Sequence, residues 1–133
     1  MVEAVRVFAR YDLPKEGDEE NTRRKLNERV GVFTPAFEIP TAGMYLWKWF
    51  IELNNSISRV DFNGYYCSIP PSEFLAWSTL TKNYLTPEEF DILRAMDGMF
   101  CKELNAEINS DRARKEEARK REMEAKSVKV RRR

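Results

Sequence analysis

A complete helix-start signal stands at Thr86-Pro87-Glu88-Glu89, and the apolar residues that follow it keep a helical spacing for more than four turns. Threonine at the N-cap, proline at the first helical position and glutamate three residues after the cap each satisfy or avoid a backbone donor that a helix start leaves unpaired. Leu93, Met96, Phe100 and Leu104 then recur at i, i+3, i+7 and i+11, with Ile108 one turn further. One face of a long helix therefore faces a core, and the helix is expected to run on into the charged segment behind it. Gly98 weakens this helix by about 1 kcal/mol relative to alanine but need not end it.

Two earlier segments have the same period. From about Thr41 to Ile57, with Thr41 as the expected N-cap, Leu46, Trp49, Phe50, Leu53 and Ile57 form one apolar stripe and Met44, Trp47 and Ile51 a second. Two apolar faces require two neighbours, either the Phe33 to Ile39 connector within the chain or a partner, since large exposed apolar patches mark contact sites. Pro70-Pro71 opens another helix, which is expected to end near Lys82 and to turn Phe74, Ala76, Trp77 and Leu80 inward. Between these helices, Ser58 to Ser68 is a loop with an Asn63-Gly64 turn signal and a cluster of aromatics, Phe62, Tyr65 and Tyr66. Those rings either fold back on the helices as a lid or form a contact patch.

The N-terminal third is less regular. Ala4 to Arg10 fits a short strand about as well as a short helix, Leu13 to Glu20 is a polar loop, and Asn21 to Val30 can form a helix closed by Gly31. Thr34 to Pro40 is an extended connector, because a residue that precedes proline avoids the helical region. The expected architecture is all-α: a small domain of three principal helices (37–109), behind a weakly structured N-terminal arm (1–36) and before a charged helical extension (110–133).

Charge divides the chain unevenly. Residues 1–110 carry 12 basic and 17 acidic side chains, a balance of −5, whereas residues 111–133 carry 11 basic and 5 acidic, a balance of +6. Four acid-before-base pairs at i,i+4 (Asp111/Lys115, Glu116/Lys120, Glu117/Arg121, Glu122/Lys126) suit a solvated helix. Arg112, Arg114, Lys115, Arg119, Lys120 and Arg121 make that segment a candidate attractor of an acidic partner or, as a disfavoured alternative, of nucleic acid.

Catalytic chemistry finds little material. There is no histidine, which removes the commonest general base and the commonest metal ligand together. Cys67 and Cys101 are too few for a zinc site or a disulfide framework and read as free thiols. The glycines are isolated, so no phosphate-binding loop is formed. Glu88, Glu89 and Asp91, near Asp97 in sequence, are accounted for by acidic preference in a first helical turn. Neither a metal, a cofactor nor an enzymatic activity is expected. The longest apolar run, Met44 to Ile51, is broken by Lys48 and too short for a membrane span. The opening residues lack a secretion pattern, so a cytoplasmic location is expected.

The segments Phe37 to Leu53, Ser72-Glu73-Phe74-Leu75-Ala76-Trp77-Ser78-Thr79-Leu80-Thr81 and Leu85 to Asp97 resemble, in order and spacing, a family of small proteins from the tail gene clusters of long-tailed phages and prophages, described as tail assembly chaperones. The resemblance implies a non-enzymatic helper in the host cytoplasm that binds tape-measure or tail-tube subunits during morphogenesis, with self-association as a further expectation. Trp47, Ile51, Phe62, Tyr65 and Tyr66 are the candidate partner-binding residues. A structural component of the virion and a small nucleic-acid-binding regulator are the alternatives.

Overall fold

The computed structural model describes residues 1–15 and 18–131. Its elements are α1 (Val2–Tyr11), β1 (Pro14–Lys15), β2 (Asp18–Thr22), α2 (Arg23–Arg29), a 3-10 turn (Thr41–Gly43), α3 (Met44–Ser56), α4 (Pro71–Thr81) and α5 (Pro87–Arg131). The fold is mostly helical, with β1 and β2 paired as a short antiparallel ribbon. That ribbon occupies part of the stretch expected as a polar loop; Glu16 and Gly17 lie outside the described residues.

α5 is the spine. Its capping box closes as the sequence dictates: the Glu89 N–H donates to Thr86 Oγ1 at 3.2 Å, and the Thr86 N–H donates to Glu89 Oε2 at 2.9 Å. The buried stripe Leu93, Met96 and Phe100 then meets Leu46, Phe50 and Leu53 of α3, Phe74 and Trp77 of α4, and Ile69. Edge-to-face pairs order this core: Phe50 against Phe100 at 5.7 Å and Phe74 against Phe90 at 5.2 Å between ring centroids.

The N-terminal segment differs from the weakly structured arm expected of it. α1 is a core helix that packs along α5, with Val5 fully buried and Ala9 beside it in the central cluster. Glu3, Arg6 and Arg10, at i, i+3 and i+7, form its polar side, opposite the buried Ala4, Val5, Val7 and Ala9; the run is brief enough that its partial alternation fits a strand as well. Polar contacts attach the following residues. Arg24 pairs with Asp12 through two hydrogen bonds of 2.5 and 2.7 Å and reaches the Pro35 carbonyl at 3.0 Å, and Arg23 pairs with Glu107 at 2.7 Å. α2 buries no residue of its own. Thr22 caps it, and Gly31, at φ +71°, follows its end. The core is mostly helical as expected, but it is not confined to three helices: α1 contributes Val5 and Ala9 beside residues of α3, α4 and α5.

Two local expectations are corrected. Thr41 does not cap α3: it opens a 3-10 turn, and α3 begins at Met44 without a side-chain cap. On α4 the buried residues are Phe74, Trp77 and Ser78, whereas Ala76 and Leu80 are exposed.

Candidate partner-binding surface

The loop between α3 and α4 is built from its own backbone first. Asp61 Oδ1 accepts the N–H groups of Asn63 and Tyr65 at 2.8 and 2.9 Å, the Gly64 N–H donates to the Asp61 carbonyl at 2.9 Å, and Val60 bridges Tyr66 antiparallel. Gly64 sits at φ +81°, a conformation that costs other residues a Cβ clash. The Asn-Gly signal therefore marks a tight turn.

α5 fixes this turn with three side chains on one stripe, at i, i+4 and i+7. Asn105 accepts from the Tyr66 N–H at 2.8 Å and donates to its carbonyl at 3.0 Å. Asn109 accepts the Tyr65 hydroxyl at 2.6 Å. Arg112 donates to the Asn63 carbonyl while its guanidinium lies 4.5 Å from the centre of the Tyr65 ring. Tyr66 also turns its ring edge-on to Phe100. Tyr65 and Tyr66 thus fold back on α5, while Phe62, 97% exposed, stands at the tip.

A buried charge pair holds both ends of the loop. Arg59 donates to Asp97 and to Asn54 Oδ1, stacking 4.9 Å from the Phe100 ring centre, and Asp97 Oδ2 accepts the Ile69 N–H at 2.9 Å. Asp97 is not part of an acidic cluster with Glu88 and Asp91, which are exposed on α5, nor with Glu89, which belongs to the capping box. Its signal was present in the sequence: position 97 falls on the apolar stripe with 93, 96 and 100, where a carboxylate needs a buried partner.

Trp47 and Ile51 lie elsewhere. Trp47 packs on Phe8 at 5.3 Å, Phe37 at 5.4 Å and Phe50 at 6.1 Å, so α1 and the connector cover the second stripe of α3 at Trp47, and Ile51 is half-buried against the core. Met44 of that stripe is exposed. Along the basic segment, Lys120, Arg121 and Lys126 pair with Glu116, Glu117 and Glu122 as their spacing predicts. Arg114 takes Asp111 at 2.7 Å, one position short of the expected Lys115. Every side chain from 112 to 127, including Lys115 and Arg119, is exposed.

One surface feature was not anticipated. Phe74, Leu75, Tyr84, Leu85 and Phe90 line an open apolar cleft of about 500 Å³ between α4 and the start of α5. Leu75 and Tyr84, on its wall, are 69% and 75% exposed. Cys67 and Cys101 are free thiols, the first exposed and the second buried. Among the described residues no group of three or more carboxylates and thiols is placed to hold a metal ion, and no helix is long and apolar enough to cross a membrane.

No curated protein and no solved structure matches the chain. A family model described as phage tail assembly chaperone matches residues 20–102, which takes in the end of β2, α2, α3, the pinned loop, α4 and the buried part of α5 through Cys101. That span is more than half of the chain, and the chain belongs to the phage tail assembly chaperone family.

Proposed function

We propose that this protein acts in the host cytoplasm as a non-catalytic helper that binds tape-measure or tail-tube subunits while the tail is assembled. The family match carries the reading. The pinned loop supports its site. A fully exposed aromatic ring is costly to leave in water, and one on a turn already ordered by hydrogen bonds to α5 and within the turn loses little further freedom on docking. Phe62 is the anchor of this surface. Tyr65 and Tyr66 orient it, and the basic stretch Arg112 to Arg121 attracts acidic segments of the partner, while Trp47 and Ile51, packed against α1, the connector and the core, stay outside this surface.

Affinity purification from phage-producing cells tests the reading, with mass spectrometry of the eluate and of purified virions. Tape-measure or tail-tube protein should elute with the wild-type chain, and the chain should be missing from virions. Replacing an aromatic anchor by alanine costs about 2 kcal/mol or more of binding, so Phe62→Ala should lose most of the recovered partner with its circular dichroism unchanged. Stoichiometric presence in virions would make the protein a structural component instead.

A further inference from the structure

α4 carries no charged residue from Phe74 to Thr81, yet Leu75 and Leu80 are largely in solvent. A helix that is apolar on all sides is ordinarily covered on all sides. Part of this uncovered surface is the wall of the cleft between α4 and α5, whose lining residues are all uncharged. Along α4 the lining runs from Pro71 to Ser78, roughly 10 Å or two helical turns. That length accepts two bulky side chains one turn apart on a facing helix, the spacing with which amphipathic helices enter grooves. One charge stands at the edge. The Arg94 guanidinium lies 5.6 Å from the centre of the Phe90 ring, which lines the cleft, and no carboxylate among the described residues pairs with it. Phe74 meets the same ring edge-on, while Ser78 donates to the Asn83 carbonyl at 2.7 Å, so Arg94 stands at the end of the cleft away from Tyr84. An apolar cleft edged at one end by an unpaired cation complements an apolar segment that carries a carboxylate just beyond its anchors.

We propose that this cleft is a second docking site for the tail subunit that the protein escorts, and that its occupant is an amphipathic helix of that subunit with two bulky apolar side chains at i and i+4 and an aspartate or glutamate one turn further along. The apolar pair enters among Leu75, Tyr84 and Phe90, and the carboxylate meets Arg94. The cleft lies within residues 20–102, the span that carries the family match. This inference rests on the tail-protein reading and adds to it a surface separate from the Phe62 loop, with a chemical requirement on the partner.

Site-specific photo-crosslinking of the full chain in phage-producing cells tests it, with benzoylphenylalanine in place of Leu75, of Tyr84 or of Phe62, all three exposed, and mass spectrometry of the crosslinked peptides. Positions 75 and 84 should capture one and the same segment of the tape-measure or tail-tube protein, and that segment should carry the apolar pair and the acid. Arg94→Glu, at an exposed position, should lower both yields about tenfold by setting like charges against each other, and Arg94→Lys, which keeps the charge, should retain most of the yield. Tyr84→Lys, read from position 75, replaces Arg94→Glu should the latter alter the circular dichroism. Capture of a tail subunit at position 62 but not at 75 and 84 would overturn the inference and leave the tail-protein reading in place. No tail subunit at any of the three positions, and none in the affinity eluate, would remove the reading and the inference with it. Capture at 75 and 84 of only a second copy of the chain or of other proteins, a captured segment without an acid, or yields indifferent to Arg94→Glu would overturn the inference as well.

Discussion

At the scale of the residue, Asp97 determines whether the loop can exist in its present form. Its two oxygens face two donors, the Arg59 guanidinium at one end of the loop and the Ile69 N–H at the other, in a site closed to water. Removing one member of a buried pair leaves the other charge desolvated without compensation. Asp97→Ala should therefore cost about 3–5 kcal/mol in chemical denaturation, and adding Arg59→Met should recover much of that loss, since an apolar replacement of both partners is close to neutral. A loss below 1 kcal/mol for the single variant would mean that Arg59 finds water. Cys101 lies beside this pair. Burial, with the Asp97 charge adding to it, pushes its thiol up, so it stays protonated and unreactive at neutral pH. A thiol-reactive dye should label Cys67 in the folded protein and reach Cys101 only after unfolding.

At the scale of the element, the start of α5 is where local sequence has its clearest measurable effect. Thr86→Ala removes the cap oxygen and should cost about 1 kcal/mol. Glu89 completes the same box, and the Thr86 N–H, with the Tyr45 hydroxyl in support, holds its carboxyl below the usual carboxylate range. A carboxyl depressed on folding stabilises the protein above its unfolded value of about 4.3, and that contribution disappears as pH falls through the lower folded value. The acid branch of a stability-against-pH curve should be shallower for Glu89→Gln, which keeps a capping oxygen but does not titrate there. These elements were legible because one sequence-local rule governs each: the capping box, the 3.6-residue stripe of α5, and three of the four ion pairs on the tail. The loop was legible in part, since Asn63-Gly64 marks its turn, but Asn105, Asn109 and Arg112 carry no pattern until the turn lies against them. α1 escaped for a different reason: Ala4 to Arg10 is brief and partly alternates apolar and polar residues, so it fits a strand as well as the helix whose polar side is Glu3, Arg6 and Arg10. The cleft escaped as well. It arises from how α4 meets the first turns of α5, and Leu75 and Tyr84 look like ordinary apolar residues of a helix and a connection.

At the scale of the whole molecule, the helix that organises the core is also the one that leaves it. Up to about residue 112, α5 carries contacts with α1, α3, α4 and the loop; beyond that its described side chains touch water and one another. Ion pairs on an exposed helix contribute about 0.3–0.5 kcal/mol each, and to the helix itself, not to the packing of the body. The extension is therefore energetically separable from the fold even though the backbone passes into it without a break. A chain ended after Arg114 tests this separation, because it keeps the clamp of Arg112 on Asn63 and Tyr65. Its free energy of unfolding in urea should lie within about 0.5 kcal/mol of the full chain, as for changes at exposed surface. The dependence on urea should fall little, since it scales with the surface exposed on unfolding and the extension is already solvated. The helical signal per chain should drop, because most of the removed residues are helical. A loss of several kcal/mol on truncation would show that the extension packs on the body, and would require a contact that the solvated side chains of 115–127 do not make.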